Sequence, residues 1–329
     1  MVGSLRALLA GAIDYAGLFP PASLPLERAV EEFATHGQSA EAWMLARFVC
    51  PAEQVAWMRG EERGAPRNWP LAILAGGGTS DEAFVTRLRA DLAAIGNLVQ
   101  EHDSLEVRLP SLDGDEFPSA GLGRMVHEVV ADCLRLDVPL RRVYFELTAL
   151  RPELDEPTWR RLLDVAIEVL ADYDRSSAGV CCAAGFKLRT GGTDSRAFPN
   201  ARQVAIAVCA ARDAGLFWKA TAGLHHPLPQ RNQPLGARMH GFVNLLTAAV
   251  LAQAEHLDVL AVEQLLDDED SHNFEWTDDH LRWRGHTASV VQIEAARRGA
   301  LQSFGSCSFD EPRQELRALG WLAEAVASG

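Results

Sequence analysis

The feature that most constrains the fold is a series of eight short apolar segments separated by segments with helical periodicity. The apolar segments cover residues 12–19, 42–49, 70–75, 104–109, 142–148, 183–189, 216–221 and 301–306. The first seven begin about 30 to 40 residues apart, the length that one strand, one helix and two loops require. Residues 25–36, 81–96 and 156–172 carry apolar side chains at helical spacing. This alternation predicts an α/β fold, a (β/α)8 TIM barrel.

The seventh unit is longer than the others, with about 85 residues between successive strand starts. It contains a long apolar helix candidate over 239–256 and an acidic, tryptophan-bearing stretch over 267–284 that a simple unit does not need. We predict an insertion over about 257–298, between strands seven and eight, at the end of the barrel where loops carry function. A surface elaboration or a contact in a homo-oligomer is an equally good interpretation. Because no low-complexity linker divides the chain, we predict one domain over 1–329.

The composition limits the classes of partner. The chain has 329 residues, 48% hydrophobic and 23% charged, with a net charge of −14 and no basic run. This balance argues against nucleic acid or a membrane surface as partner and leaves small molecules and proteins. The cysteines have no Cys-x-x-Cys spacing and lie among apolar neighbours, which indicates reduced core thiols in a cytoplasmic protein. They are Cys50, Cys133, Cys181, Cys182, Cys209 and Cys307.

Only two of the 31 basic residues are lysines, Lys187 and Lys219. A compositional pressure that replaces lysine with arginine would spare positions where the amine must lose its proton. Each lysine lies near the end of an apolar segment and is followed by glycine, at the barrel face where active sites form. Two inward amines on strands about 4.8 Å apart repel each other, which lowers the pKa of one amine toward physiological pH.

A neutral lysine amine is the nucleophile of Schiff-base chemistry, in which the iminium withdraws electrons from a neighbouring carbon–carbon bond. Arginine cannot perform this reaction. The competing interpretation is that both lysines bind phosphate or carboxylate as fixed charges, without a covalent step.

Five segments of the sequence resemble one known family. The sequence Lys-Leu-Arg-Thr-Gly-Gly at 187–192 is similar to the Lys-Thr-Ser-Thr-Gly segment that carries the Schiff-base lysine of 2-deoxyribose-5-phosphate aldolases. The sequence Lys-Ala-Thr-Ala-Gly at 219–223 resembles their Lys-Ala-Ser-Gly-Gly. Shorter similarities occur in strands one, five and eight, at 13–20, 145–148 and 304–308. The resemblance therefore follows the barrel in order along the chain.

The resemblance implies that Lys187 forms the Schiff base and that Lys219 tunes its pKa. The proton-relay aspartate of that family corresponds approximately to Glu106 on strand four. Strand five offers Glu146 as a second carboxylate that can move protons, although an ion pair is an equally good interpretation of it. Asp14 on strand one is a further candidate, or only an anchor for its strand.

A substrate-binding group is predicted beside these residues. Backbone N–H groups at the ends of strands six to eight are expected to form an anion pocket, although each glycine also fits an ordinary turn. These residues are Gly191, Gly192, Gly223, Gly305 and Ser306.

Three further candidates are polar side chains around the two lysines. Arg189 has the parity of Lys187 and replaces a small hydroxyl residue of the family motif, with Thr190 beside it. Arg108 has the parity of Glu106, so both arginines can direct guanidinium donors toward a carboxylate or phosphate. These departures indicate a substrate other than deoxyribose phosphate.

Strand seven is followed by two adjacent histidines, His225 and His226. They can bind substrate, satisfy loop carbonyl groups, or ligate a metal together with His240 or Glu146. No His-Glu-x-x-His pattern accompanies them, and we predict no metal.

We therefore predict a class I (Schiff-base) aldolase-like lyase that acts on a small carbonyl compound, phosphorylated or carboxylated, and needs no organic cofactor. One alternative is a metal-assisted lyase or hydrolase centred on His225, His226 and Glu146. Another is a non-catalytic barrel that binds an anionic metabolite, because barrels support many functions.

Overall fold

A computed structural model describes residues 2–60, 68–110, 119–176 and 182–323. Its strands are β1 (Ile13–Tyr15), β2 (Leu45–Pro51), β3 (Leu71–Gly76), β4 (Ser104–Arg108), β5 (Arg142–Glu146), β6 (Ala183–Arg189), β7 (Trp218–Thr221), β8 (Gln230–Asn232), β9 (Ala237–Met239), β10 (Phe274–Trp276), β11 (His280–Trp283), β12 (His286–Ser289) and β13 (Leu301–Ser306). Strands β1 to β7 and β13 pair in parallel and close into a barrel, in the order β1-β13-β7-β6-β5-β4-β3-β2. The predicted (β/α)8 TIM barrel is confirmed.

Helices surround the barrel. They are α1 (Gly3–Leu9), α2 (Leu26–His36), α3 (Val55–Arg59), α4 (Asp81–Ile95), α5 (Ser119–Arg135), α6 (Glu156–Ser176), α7 (Ala201–Asp213), α8 (Phe242–Glu255), α9 (Val259–Leu266), α10 (Val290–Gly299) and α11 (Asp310–Ala318). Helix α6 shows why they form: its buried positions recur every three or four residues, from Trp159 through Leu163 and Ile167 to Leu170. This stripe packs against β6, as an amphipathic helix requires.

The strand boundaries differ from the prediction most at β1, which has three residues instead of the eight over 12–19. After Tyr15 the chain turns, and the N–H of Phe19 donates to the carbonyl of Ala16. Pro20 and Pro21 follow, and proline cannot donate to a strand ladder. The segment therefore leaves the barrel early and contributes a loop over its carboxyl-terminal end.

The long helix of the seventh unit also begins later than predicted. Residues 237–239 form β9, which pairs with β8 as a hairpin, so α8 starts at Phe242. Gly241 precedes it at a crowded position, where a Cβ atom would lie 2.5 Å from the carbonyl oxygen of Pro227. Only glycine allows this approach of two backbone segments. Helix α8 is apolar on nearly all faces because α7, α9, α10 and β13 enclose it.

The acidic, tryptophan-bearing stretch forms most of a three-stranded antiparallel sheet in the order β10-β11-β12. This sheet packs against α1, α8 and α10 on the outside of the barrel. None of residues 274–289 lines the cavity at the carboxyl-terminal end of the barrel, so this sheet contributes no side chain to that cavity.

Two further observations concern the cysteines and the apolar helices. Five of the cysteines are buried free thiols, as predicted, and Cys181 lies outside the described residues. Among the residues that the structure describes, no helix combines the length and apolar character needed to cross a membrane.

Candidate active site

The register of the barrel aligns four charged residues across four neighbouring strands. Arg108 on β4 pairs with Glu146 on β5, Glu146 with Lys187 on β6, and Lys187 with Lys219 on β7. Laterally paired residues of parallel strands point to the same face, so this row occupies one layer of the barrel interior. Each member lies near the carboxyl-terminal end of its strand, where TIM-barrel active sites form.

Lys187 is 7% exposed and contacts two carboxylates. Its Nζ lies 2.9 Å from Glu106 Oε2 and 2.7 Å from Glu146 Oε2. These are the distances of strong, charge-assisted hydrogen bonds. The ammonium group therefore donates to the two carboxylates that the sequence offered as proton relays.

Lys219 is 1% exposed and lies deeper in the barrel. Its Nζ is 2.5 Å from Asp14 Oδ2 and also donates to Glu106 Oε1. Asp14 Oδ2 accepts a second hydrogen bond of 2.5 Å from the hydroxyl of Ser303. Glu106 thus bridges the two lysines, one on each of its oxygens.

The surrounding carboxylates determine the protonation of both amines. Burial lowers the pKa of Lys187, but Glu106 and Glu146 outweigh burial and raise this pKa above its ordinary value. Burial likewise lowers the pKa of Lys219, but Asp14 and Glu106 outweigh burial and raise this pKa above its ordinary value. The predicted lowering of the pKa of Lys187 by Lys219 is therefore wrong for the free protein. Carboxylates contact each amine directly, and their effect on its pKa is larger than the repulsion from the other amine.

The carboxylates show the complementary effect. Burial raises the pKa of Glu106, but Lys187 and Lys219 outweigh burial and lower this pKa to about 2. For Glu146, burial raises the pKa, while Lys187 and then Arg189 lower it below its ordinary value. Both groups are therefore ionised at neutral pH, and in the free protein the proton of each contact stays on Lys187.

A cavity of about 560 Å³ opens above this network at the carboxyl-terminal end of the barrel. Ten of the predicted site residues line it, namely Glu106, Arg108, Glu146, Lys187, Arg189, Gly192, Lys219, Gly223, His225 and Gly305. The volume is that of a site for a small molecule. At its mouth, Arg189 Nη1 lies 3.3 Å from Glu146 Oε1 and the Arg189 side chain is 49% exposed. Arg108 is exposed beside it, so both guanidinium groups can reach a substrate anion.

Five of the predicted site residues do not line this cavity. Asp14 lies below it and contacts Lys219. Thr190 is fully buried, and its hydroxyl lies 2.6 Å from the carbonyl oxygen of Ala222 and 3.1 Å from that of Thr221. Its role is to join the ends of β6 and β7, because the single hydroxyl proton is already used.

Gly191 and Ser306 are likewise structural. A Cβ atom at Gly191 would lie 2.8 Å from the Cα atom of Gly223, so this glycine allows two turns to pack closely. The Ser306 hydroxyl donates to the carbonyl of Ser308, 2.7 Å away, within the loop after β13.

The two histidines pair with α11 rather than with Glu146. His225 Nδ1 lies 3.0 Å from Glu311 Oε2, and His226 Nδ1 lies 2.6 Å from Glu315 Oε1. His225 lines the cavity, whereas His226, Glu311 and Glu315 lie close enough together to hold a metal ion. The metal centre considered from the sequence, with Glu146 as third ligand, is not assembled, because Glu146 is engaged by Lys187 and Arg189.

Three residues near the site escaped the sequence interpretation. Cys307 lines the cavity, and its Sγ lies 3.7 Å from His225 Nδ1. Burial lowers the pKa of His225, but contacts with Cys307 and Glu311 raise this pKa to about 10. Tyr144 places its ring 5.5 Å from Lys219 Nζ, and Ser303 holds Asp14. Tyr144 shares the strand parity of Glu146, which was the available signal for it.

Comparison with known proteins leaves the chain without a family assignment, since no family model matches it and no curated protein gives a significant match. The likeness to the aldolases therefore depends on the short motifs around Lys187 and Lys219.

Proposed function

We propose that the protein is a Schiff-base lyase that cleaves or forms a carbon–carbon bond beside a carbonyl group, with Lys187 as the nucleophile. One observation carries the proposal: a buried lysine at the floor of a cavity has two ionised carboxylates within 2.7 and 2.9 Å of its Nζ. A lysine that served only to bind an anion would be expected to face that anion without two carboxylates competing for it.

The first step is proton transfer, because the Lys187 ammonium group has no lone pair. When a carbonyl substrate fills the cavity, the proton passes from Nζ to Glu146 across the 2.7 Å contact. The neutral amine then attacks the carbonyl carbon and forms a carbinolamine. Protonated Glu146 returns its proton to the carbinolamine hydroxyl, water leaves, and an iminium ion remains.

The carbon–carbon bond breaks in the second stage. A carboxylate takes the proton of the substrate hydroxyl, the electrons of the bond move into the iminium, and a carbonyl fragment leaves. The resulting enamine is protonated at carbon by the same carboxylic acid. Water then hydrolyses the iminium and releases Lys187. Glu106 or Glu146 performs the proton transfers, since both contact Nζ.

Lys219 has a positioning role in this scheme. Through its contact with Glu106 it keeps that carboxylate ionised, and through Asp14 it is itself fixed in the barrel. Glu106 therefore stays available as a proton acceptor even beside a second acid.

The substrate class follows from the mouth of the cavity. Arg108 and Arg189 supply guanidinium groups above the lysine, and such groups bind carboxylate or phosphate through paired hydrogen bonds. We propose a small carbonyl compound that bears one of these anionic groups. No organic cofactor takes part in the scheme.

Borohydride trapping tests the covalent step. The protein is incubated with a panel of aldehydes, ketones and keto acids, reduced, digested and analysed by mass spectrometry. With two lysines in the chain, the expected result is a reduced adduct on Lys187 that is absent in Lys187→Arg, since arginine keeps the charge but cannot form the imine. Lys219→Arg should retain a weaker adduct on Lys187. A panel that labels neither lysine above the N-terminal amine would count against the proposal.

A metal-assisted lyase or hydrolase is the second candidate, favoured by the grouping of His226, Glu311 and Glu315. Imidazole and carboxylate ligands suit zinc or manganese. In this case a chelator would abolish turnover, zinc or manganese would restore it, and both lysines would be dispensable.

A barrel that binds an anionic metabolite without turnover would instead show ligand-dependent thermal stabilisation and no borohydride adduct.

A further inference from the structure

A second cavity, of about 460 Å³, opens at the opposite end of the barrel. Arg142 is the first residue of β5, Gln302 is the second residue of β13, and Arg297 lies in the last turn of α10. These positions identify the amino-terminal end of the barrel, which is opposite to the end that carries Lys187. In TIM barrels this end ordinarily serves stability rather than chemistry.

The charge of this cavity is opposite to that of the whole chain. Its charged lining consists of four arginines and one glutamate, although the protein carries a net charge of −14. These residues are Arg47, Arg142, Arg297, Arg298 and Glu294. Bringing four guanidinium groups together costs free energy through repulsion, so the cluster calls for a compensating negative charge.

The partners of these arginines supply little of that charge. Arg297 donates to the backbone carbonyls of Leu301 and Gln302, and Arg142 lies over the ring of Phe217, 5.9 Å from its centre. Arg298 makes one long contact, of 3.7 Å, with Glu294.

The remaining arginine is attached to the interior network. Arg47 Nη1 is 3.8 Å from Asp14 Oδ1, which is too long for a hydrogen bond. Among the described residues, Asp14 Oδ1 and the Nε atoms of Arg47 and Arg297 are buried without a hydrogen-bond partner. Unsatisfied buried polar atoms are costly, so the hydrogen bonds and ion pairs within the protein leave this cluster incompletely compensated.

We infer that this cavity, here named the arginine pocket, binds a small anion through a phosphoryl group, as free phosphate or as a phosphate monoester. Guanidinium groups match the geometry of phosphate oxygens and can bind them two at a time. A dianion would offset the repulsion among the arginines and accept hydrogen bonds from the guanidinium groups that line the cavity. Nucleic acid does not fit, because the acidic surface of the remaining chain repels a polyanion.

Calorimetric titration with inorganic phosphate and, separately, with glycerol 3-phosphate tests this inference. Arg142→Gln and Arg298→Gln each remove one guanidinium group from the arginine pocket, and Arg141→Gln is the matched control. Arg141 is adjacent in sequence, but it pairs with Glu101 on the surface and does not line the pocket. We expect each pocket variant to raise the dissociation constant about tenfold, the loss of one charge-assisted contact, while the control binds as the wild type does.

Arg189→Gln separates this pocket from the carboxyl-terminal cavity, since Arg189 lines the latter. Phosphate binding that survives Arg189→Gln and weakens in both pocket variants supports the inference. Binding of inorganic phosphate alone would identify free phosphate as the ligand. Binding of both probes would show that a phosphate monoester also fits. Absence of binding in the wild type, or equal binding in the wild type and in folded pocket variants, would overturn it. Thermal unfolding of every variant verifies the fold.

Discussion

The two ends of the barrel handle charge in opposite ways. At the carboxyl-terminal end, two buried lysines alternate with three buried carboxylates, and each ammonium group touches two of them. At the amino-terminal end, four arginines and one glutamate line a cavity, and among these residues only Arg298 contacts that glutamate, at 3.7 Å. In the first arrangement every ammonium group is paired with carboxylates, whereas the second lacks negative charge. A satisfied ion network fits proton transfer, and an unsatisfied one fits binding.

Removing Glu106 should have the largest effect on this comparison. Glu106→Leu leaves two buried ammonium groups with one carboxylate each, and we expect the free energy of unfolding to fall by about 3–5 kcal/mol. Arg142→Gln at the other end should cost less than about 1 kcal/mol, because it relieves repulsion. Urea unfolding measures both. Glu101→Leu, which removes an exposed partner of Arg141, is the control and should behave like Arg142→Gln. Equal losses from Glu106→Leu and Glu101→Leu would contradict the difference between the ends.

The milder variant Glu106→Gln should change the titration of the lysines. Carboxylates hold the pKa of Lys187 and of Lys219 above the ordinary value, so losing one shared carboxylate should lower both pKa values. Lysine labelled with ¹³C gives one Cε resonance for each of the two residues, and its shift can be followed with pH. Glu101→Gln serves as the matched control. Unchanged titration in Glu106→Gln would mean that Asp14 and Glu146 alone set the protonation.

Acid should weaken the carboxyl-terminal network. The pKa of Glu106 is lowered to about 2 and that of Glu146 is also lowered, so both carboxylates stabilise the fold at pH values above their ordinary 4.5. This stabilisation is lost as the pH falls from about 4.5 toward 2. The midpoint of urea unfolding should therefore decrease over this range, and less steeply in Glu106→Gln. The same slope in both proteins would assign the acid sensitivity to other carboxylates.

The smallest expected effect concerns Tyr144, which lies between the two ends. Its hydroxyl donates to Gln302 Oε1 at 3.0 Å, while its ring lies beside Lys219. Tyr144→Phe removes the hydrogen bond and keeps the ring, so the free energy of unfolding should fall by about 1 kcal/mol. The pKa of Lys219 should not change in the labelled protein. A shift of this pKa would show that the hydroxyl, and not only the ring, affects the ion network.

The periodicity of the sequence was sufficient for the barrel and insufficient for its boundaries. Buried parallel strands are nearly continuous apolar runs, and all eight were located. The short strands β8 to β12 were not predicted, since segments of three or four residues carry no clear pattern. At β1, the apolar run continues through Leu18 and Phe19, but the strand ends at Tyr15 because the chain turns before Pro20 and Pro21.

For the candidate site, the alternation of side chains along each strand predicted which charged residues face the barrel interior, but not which of them form ion pairs. Alternation and strand ends were enough to bring Glu106, Glu146 and both lysines to the interior. Which amine meets which carboxylate depends on contacts across the closed barrel, such as that between Asp14 and Lys219, 205 positions apart in the chain. The repulsion between lysines on neighbouring strands is visible in the sequence, whereas carboxylates from distant strands approach the amines only in the closed barrel. For this reason the direction of the pKa shifts was wrong.

The contact between Arg47 and Asp14 has a consequence for the molecule as a whole. It joins the arginine pocket to Asp14, and from there alternating charges continue through Lys219 and Glu106 to Lys187. Two cavities at opposite ends of a barrel are ordinarily insulated from each other by apolar layers of side chains. Here charged side chains connect the two cavities, so any effect that a ligand in the arginine pocket has on affinity in the far cavity would be returned by the same factor.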